Sequence, residues 1–388
     1  MIVLKAFCFK IVPAPTQEQA FRRYAGACRW VWNEMLRERK ETYNATGKSP
    51  SMYAQMRRLT ALKRQPETAW LNGVHSQVLQ EPIKNLQRAF INFFEKRAKY
   101  PTFKRKRRGL GSFSFPQSVA VAGNRVWLPK IGWVRFRKSR EIEGTIKRAT
   151  IRHKARGWYI SILCEVEVPD PEPAAPTEET TVGVDLGLND FAVLSTGERI
   201  PNPRHLRKLE RKLAHAQRAR SRTRKGARRY HKQARKVARL HERITNARTD
   251  FLHQLSSRLV AENQGIMVED LSVQGLARTR LAKSVHDAGW GEFLRQLAYK
   301  ARWAGKVFHR IDRFFPSSKL HIVCGTLNDL SLSDRLFECQ GCGALVDRDL
   351  NAALNIKHRG LVEVSPVGQP GVYARGLGVS PTTVGGPG

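Results

Sequence analysis

The chain opens on an apolar run, MIVLKAFCFKIV, broken by Lys5 and Lys10. No small-residue cleavage site follows, so the run predicts a first β-strand and not a leader. Pro13 and Pro15 end it. From Thr16 to about Ala98 the apolar spacing becomes helical. In EQAFRRYAGACRWVWNEMLRERK, residues Phe21, Tyr24, Ala25, Cys28, Val31 and Trp32 share one face, with Arg and Glu opposite. A later helix is expected to start near Pro82, a residue suited to a first turn. It should run through NLQRAFINFFEKR, with Leu86, Ala89, Phe90 and Phe93 as its stripe. The basic run FKRKRRG closes this part.

From Ser112 to Val168 the pattern alternates with period two, and turns are expected at Gly132 and at Ala155–Gly157. The strand at residue 1 could pair with these strands and close a small barrel, which makes the helical stretch an insertion. The acidic, Pro-rich VPDPEPAAPTEETT reads as a linker and domain boundary. Beyond it, VGVDLGLNDFAVLS predicts two strands joined by a tight turn. Residues 203–263 predict long helices, GIMVED a buried strand, GEFLRQLAYKARWAG a helix and KVFHRIDRF a strand. After Arg359 the composition is that of a disordered tail.

The expected fold class is therefore α+β and multidomain. Residues 1–12 and 101–168 form a β-barrel with a helical domain, 13–100, inserted. A linker spans 169–181. An α/β domain takes 182–315 and 346–358, with a metal-binding element at 316–345 and the tail at 359–388.

Charge changes the picture most. In 388 residues, 69 Lys and Arg face 33 Asp and Glu, a net +36. Such a surplus repels itself unless a polyanion neutralises it, and nucleic acid does so with release of condensed counterions. The charge is clustered: 18 Lys or Arg lie between residues 201 and 250, against Glu210, Glu242 and Asp250. Too few acids are present for i,i+4 pairing to explain that run as a solvated face. Lys104, Arg105, Lys106 and Arg107, with Arg224, Lys225, Arg228 and Arg229, are the candidate phosphate contacts. Trp30, Trp32, Phe103 and Tyr230, interleaved with these charges, could stack on bases or lie in the core. No stretch is long and apolar enough to span a bilayer, and no amphipathic lipid-facing helix suggests a membrane partner.

Cys8, Cys28 and Cys164 stand apart in apolar surroundings and read as core residues. Cys324, Cys339 and Cys342 lie close together, which suggests a metal site in a reducing compartment. His321-x₂-Cys324, a 14-residue gap, and Cys339-x₂-Cys342 have the spacing of a structural zinc ribbon. Gly325 and Gly343 follow each pair, where a tight knuckle needs a small residue.

Three acids sit at the ends of elements expected to be buried. Asp185 ends VGVD, Glu269 ends GIMVE, and Asp349 opens DLNAALNIK, whose Ala352, Ala353, Leu354 and Ile356 supply a buried stripe. Taken singly, each could be a turn or cap residue, and Asp190 and Asp347 are near competitors. Held together, they are costly without a cation. Two Mg²⁺ ions about 4 Å apart would offset that cost and supply phosphodiester-cleaving chemistry.

Taken together, GVDLGLNDFAV, VEDL, HDAGWGEFLRQLAYKARWAG and FPSSK…CG…LSDRLFECQGCG…DRDLNAALNIK closely resemble the TnpB proteins of bacterial insertion sequences, relatives of the type V CRISPR nucleases. The likeness runs from the first strand to about residue 358. It implies a wedge barrel with an inserted recognition domain, then an RNase H-like RuvC domain carrying a zinc ribbon that loads the target strand. It implies Asp185, Glu269 and Asp349 as the catalytic, Mg²⁺-binding acids, and one structural Zn²⁺, with the family's first zinc cysteine falling on His321. It also implies one protein per guide RNA transcribed from the transposon end, acting in the bacterial cytoplasm at the nucleoid. Double-stranded DNA would be cut beside a short transposon-adjacent motif. By position, Tyr53, Ser76, Gln77 and Gln80 are the candidates for reading that motif. Base pairing would then carry sequence specificity while the protein holds a heteroduplex by its backbone.

Two other classes compete. A nuclease-silent, RNA-guided repressor would keep the basic surface, but the intact acids argue against it. A strand-transfer transposase would share the metal chemistry and need a module for transposon ends, such as a helix-turn-helix.

Overall fold

The computed structural model describes residues 1–106, 109–168, 175–331 and 334–364. Arg107 and the tail from 365 onward lie outside these described residues. The chain divides into two compact units, Met1–Pro169 and Asp170–Gly388.

In the first unit, strand β1 (Ile2–Val12) buries Val3, Phe7, Phe9 and Ile11, while Ile2 and Leu4 face outward. Period two puts Cys8 on the outer face, so it is exposed and not the core residue expected. Helix α1 (Pro15–Thr46) is one continuous helix that ends at Gly47 with φ +68°. Helix α2 (Met52–Leu62) is capped by Ser51, whose hydroxyl accepts from the Ala54 N–H at 3.1 Å. A 3₁₀ stretch (Pro66–Gly73) leads to helix α3 (Ser76–Phe94).

Helix α3 begins two turns before the expected start, with Pro82 inside it. Proline leaves the carbonyl four residues back without its helical donor. That carbonyl belongs to Val78, and the buried Cys28 thiol donates to it at 3.6 Å. A helix–helix contact thus satisfies the oxygen that made Pro82 look like a start.

Strands β2 (Ser112–Phe115), β3 (Ala120–Ala122), β4 (Arg125–Leu128), β5 (Gly132–Arg137), β6 (Thr145–Lys154) and β7 (Gly157–Glu167) join β1 in a sheet of order β2-β6-β7-β1-β5-β4-β3. Strand β1 pairs antiparallel with β7 over Ile2–Lys10 and with β5 over Lys10–Val12. Among the described residues the sheet stays open at β2 and β3, a half-barrel in place of the closed barrel expected. The two edge strands have four and three residues, too short a ladder to close the ring. Phe21 and Tyr24 of α1 pack against Phe113 of β2, and Phe21 against Trp158 of β7, at centroid distances of 5.3–5.6 Å.

The second unit is built on β8 (Thr181–Leu186), β9 (Asp190–Leu194), β10 (Arg199–Pro201), β11 (Gly265–Glu269) and β12 (Val307–Ile311). The order is β10-β9-β8-β11-β12. The first three strands form an antiparallel meander, and β11 and β12 run parallel to β8. Between β10 and β11 come α4 (His205–Ser221) and α5 (Arg228–Glu262). Between β11 and β12 come α6 (Val273–Leu276), α7 (Ala282–Ala288) and α8 (Trp290–Trp303). The hairpin β13 (Leu336–Glu338) and β14 (Leu345–Asp347) leads into α9 (Arg348–Val364). Helix α9 runs on through residues assigned above to a tail beginning at 359.

Strand alternation sorts the sheet faces. Val182, Val184, Ile266 and Val268 pack with Leu252, Leu255 and Leu259 of α5 and Phe293, Leu294 and Leu297 of α8. Gly183, Asp185, Met267 and Glu269 therefore point to the other face. There Met267 packs with Ile311, and with Ile356 and Leu361 of α9. No helix among the described residues is long and apolar enough to cross a membrane.

Candidate active site and metal centre

The strand register places two of the three acids side by side. Val184 pairs with Val268 across the parallel β8–β11 ladder, so Asp185 and Glu269 follow one another off adjacent strand ends. Helix α9 supplies the third. A Cβ on Gly183 would meet the Ala353 carbonyl oxygen at 2.0 Å and the Lys357 nitrogen at 2.7 Å, so strand and helix nearly touch there. Two residues on along the strand is Asp185, and one helical turn back from Ala353 is Asp349. Asp349 is thereby carried toward Asp185, near enough for its charge to act on that carboxyl.

Electrostatics records the convergence. Burial, then the charges of Asp349 and Glu269, push the Asp185 carboxyl up from 3.8 to about 7. Glu269 is also raised, by burial and by neighbouring Asp270, with Arg313 opposing. Hard oxygen donors, one of them half-buried and repelled by the other two, are the donor set a divalent cation suits.

Asp349 is engaged elsewhere. Arg335 Nη1 stands 3.1 Å from its Oδ1 and 3.0 Å from its Oδ2. Arg348 Nη2 donates to Oδ1 at 3.3 Å, and Arg199 Nη1 lies 3.8 Å from Oδ2. The competitors are occupied by the fold. Asp347 accepts the Leu350 N–H at 2.9 Å as the cap of α9 and pairs with Arg199 at 2.5 Å. Asp190 pairs with Arg199 at 3.0 Å.

His321, Cys324, Cys339 and Cys342 come together with all ligand atoms within 4.8 Å of one another. His321 Nδ1 is 3.1 Å from Cys324 Sγ and 3.4 Å from Cys342 Sγ, and the Cys324 and Cys339 sulfurs are 3.5 Å apart. A tetrahedral zinc site has edges of about 3.6–3.8 Å for N···S and S···S pairs, so the donors fit that ion. Each knuckle closes with a backbone bond, Gly325 N to His321 O at 2.9 Å and Gly343 N to Cys339 O at 2.8 Å. Both glycines have φ near +70°, the left-handed region that disfavours other residues. Among the described residues, this is the one set of such side chains that closes to metal-ligand distances, and the three carboxylates do not draw together in the same way.

Two buried asparagines hold the histidine half in place. Asn351 Nδ2 donates to Leu320 O at 2.7 Å, and its Oδ1 accepts Ile322 N–H at 3.0 Å. Asn355 Nδ2 donates to Ser317 O at 2.8 Å and to Leu320 O at 2.5 Å. These residues, with Arg335 and Arg199, were not singled out from the sequence. The i,i+4 spacing of two asparagines on an otherwise apolar stripe was the available signal.

The candidate nucleic-acid contacts divide. Arg224 and Lys225 lie exposed in the α4–α5 turn, and Arg228 and Arg229 in the first turn of α5. Arg105 and Lys106 are exposed. Lys104 is exposed as well, but its ammonium sits 3.7 Å from the centroid of the buried Trp32 ring, and desolvation there lowers its pKa. Ser76, Gln77 and Gln80 share the first turns of α3. Tyr53, 72% exposed, lies with Gln87, Phe90 and Phe94 along a cavity of about 630 Å³ near the far end of that helix. At 1.5 Å per residue, the seven residues from Gln80 to Gln87 put the nearer members of the two groups about 10 Å apart along the helix.

Three family models match stretches of the chain. The model described as "Probable transposase" matches residues 161–280, and "Cas12f1-like, TNB domain" matches 290–356. A "Helix-turn-helix domain" model matches residues 1–48, which here form β1 and the continuous helix α1. A "Putative RNA-guided DNA endonuclease" of Streptomyces pristinaespiralis is 40% identical over 366 residues, covering 92% of this chain and 90% of that protein. InsQ of Escherichia coli (strain K12), described in the same words, is 36% identical and covers 91% of each chain. A Cas12f1 chain solved by cryo-EM with sgRNA and target DNA shares the fold, with a TM-score of 0.57 at 12% identity, over 92% of this chain and 99% of that one.

Proposed function

The chain belongs to the TnpB family, and on that premise we propose that it is an RNA-guided endonuclease that cuts double-stranded DNA beside a short transposon-adjacent motif. The observation that carries the reading is Asp185, half-buried at the end of β8 and pushed up to about 7 by burial and by the charges of Asp349 and Glu269. A fold gains no stability from setting the charges of Asp349 and Glu269 against the Asp185 carboxyl, so their arrangement points to a cation-dependent task. The meander followed by two parallel strands, with α9 on the catalytic face, supports an RNase H-like RuvC assignment for the second unit.

Asp185, Glu269 and Asp349 would hold the divalent ions, which when bound supply an activated water and stabilise the leaving oxygen. The protein's own part is to hold the polyanion. Arg224, Lys225, Arg228 and Arg229 project from the tip of a helical hairpin whose own apolar core is small, built on Leu213, Ala216, Val237 and Ile244. That tip neutralises phosphates without reading bases. The guide RNA, from the transposon end, supplies sequence recognition by pairing. His321, Cys324, Cys339 and Cys342 would bind one structural zinc, which fixes the hairpin leading into α9. Ser76, Gln77 and Gln80 form one candidate contact to the adjacent motif, and Tyr53 a separate one.

The test combines zinc-loaded protein, RNA from the element's end, Mg²⁺ and a target plasmid, with sequencing of the RNA that co-purifies. Cleavage lost in Asp185→Ala with target binding retained supports the nuclease. Full-rate cutting by that variant removes Asp185 from the mechanism. Binding without cleavage by the unaltered chain would favour the repressor reading, for which the engagement of Asp349 by Arg335 is the one structural argument.

A further inference from the structure

Arg335 stands just before β13, and its backbone carbonyl accepts the Arg348 N–H at 2.9 Å. This bond ties the zinc-ribbon hairpin to the first turn of α9. Its side chain then reaches the neighbouring acid, Asp349. One nitrogen, Nη1, lies 3.0–3.1 Å from both carboxyl oxygens, on the bisector that a bidentate cation would occupy. The Asp349 side chain is only 15% exposed, while that of Arg335 is 48% exposed. The cation is thus the solvent-facing partner of the pair and the acid the more enclosed one. Arg348 also touches Asp349, but its other arm is held by the Ser331 carbonyl at 3.1 Å, and its side chain is 13% exposed.

We propose that Arg335 is an electrostatic latch: it occupies the metal-facing side of Asp349 until a phosphodiester offers it another partner. The inference rests on the reading of Asp185, Glu269 and Asp349 as cation ligands. A hard divalent ion binds a carboxylate oxygen at about 2.0–2.1 Å for Mg²⁺. A guanidinium nitrogen bridging both oxygens cannot share that space. A phosphate oxygen is an equally good acceptor for guanidinium. Arrival of the nucleic-acid backbone therefore moves Arg335 from carboxylate to phosphate and releases Asp349 to the ion. No bond is made or broken. The consequence is positive coupling: each ligand, phosphate or divalent ion, raises affinity for the other, by reciprocity. Without nucleic acid the centre is held closed to metal, which limits unguided cutting.

The experiment is titration of Mn²⁺ into zinc-loaded full-length protein, followed by calorimetry and by the electron paramagnetic resonance signal of free Mn²⁺. It compares the unaltered chain, Arg335→Ala, Arg335→Gln and Asp185→Asn, each with and without a short non-cleavable duplex. Arg335→Ala and Arg335→Gln are expected to bind Mn²⁺ about tenfold more tightly than the unaltered chain when no nucleic acid is present, within the usual range of coupling. The duplex should tighten Mn²⁺ binding to the unaltered chain and change it little in both variants. Unchanged or weaker Mn²⁺ affinity in both variants, with Asp185→Asn still losing the site, overturns the latch and leaves the carboxylate reading standing. Mn²⁺ binding that Asp185→Asn does not alter overturns both.

Discussion

The Cβ that Gly183 lacks would stand 2.0 Å from the carbonyl oxygen of Ala353, and this missing atom sets how closely α9 lies on β8. Contacts under 3 Å to backbone cannot be relieved by a side-chain rotation. The helix must move as a body, and Asp349 moves with it, because it is one turn from the point of contact. A glycine outside the acid set thus controls how near Asp349 comes to Asp185.

Gly183→Ala should therefore cost more than an ordinary exchange. Overpacking against backbone is expected to destabilise the second unit by about 3 kcal/mol and to abolish metal-dependent cutting. Urea unfolding and plasmid cleavage check it. A variant with unchanged midpoint and rate would show that α9 does not approach β8 this closely.

Asp185 links stability to pH. Its carboxyl is raised to about 7 from 3.8, so between those values the folded chain holds a proton that the unfolded chain releases. Stability must then fall as pH rises from about 4 to about 7, by up to about 4 kcal/mol from this group. Asp185→Asn removes the effect. Without added Mg²⁺, its melting temperature should match the unaltered chain near pH 4 and exceed it above pH 7, and Mg²⁺ should narrow the gap. A gap independent of pH would refute the assignment.

Zinc is expected at one ion per chain by elemental analysis. His321→Cys should keep it, since thiolate and imidazole both serve. His321→Ala should weaken it by about 100-fold or more. Chelation should release the β13–β14 hairpin and with it the capping of α9 by Asp347, read as lost helix in circular dichroism. Retention of full zinc affinity by His321→Ala would confine the site to the three cysteines.

The basic residues should separate by role. Replacing Arg224, Lys225, Arg228 and Arg229 with Ala should lower the slope of log affinity against log salt by up to about 3–4, alike for unrelated sequences. Lys104→Ala should barely change that slope and should instead cost about 1 kcal/mol of folding stability, through its contact with Trp32. A large salt-slope change from Lys104→Ala would place its ammonium on phosphate after all.

A local signal misleads where a distant partner overrules it. Pro82 signals a helix start, yet α3 passes through it because Cys28, 50 positions away, takes the stranded Val78 carbonyl. The β1 run looks uniformly apolar around Cys8, yet the sheet buries only one face of it.

Local order in the chain was enough to nominate Asp185, Glu269 and Asp349, the knuckle residues His321, Cys324, Cys339 and Cys342, and the boundary between the two units. Each of these rests on spacing within a few residues or on a shift in composition, and both are properties of the linear chain. Tertiary structure alone decided that the first sheet stays open, that Tyr53 shares a cavity with Gln87 and Phe90, and that Arg335 sits on Asp349. Such pairings depend on which element packs beside which, and the periods of helix and strand say which face is buried without naming the neighbour that covers it.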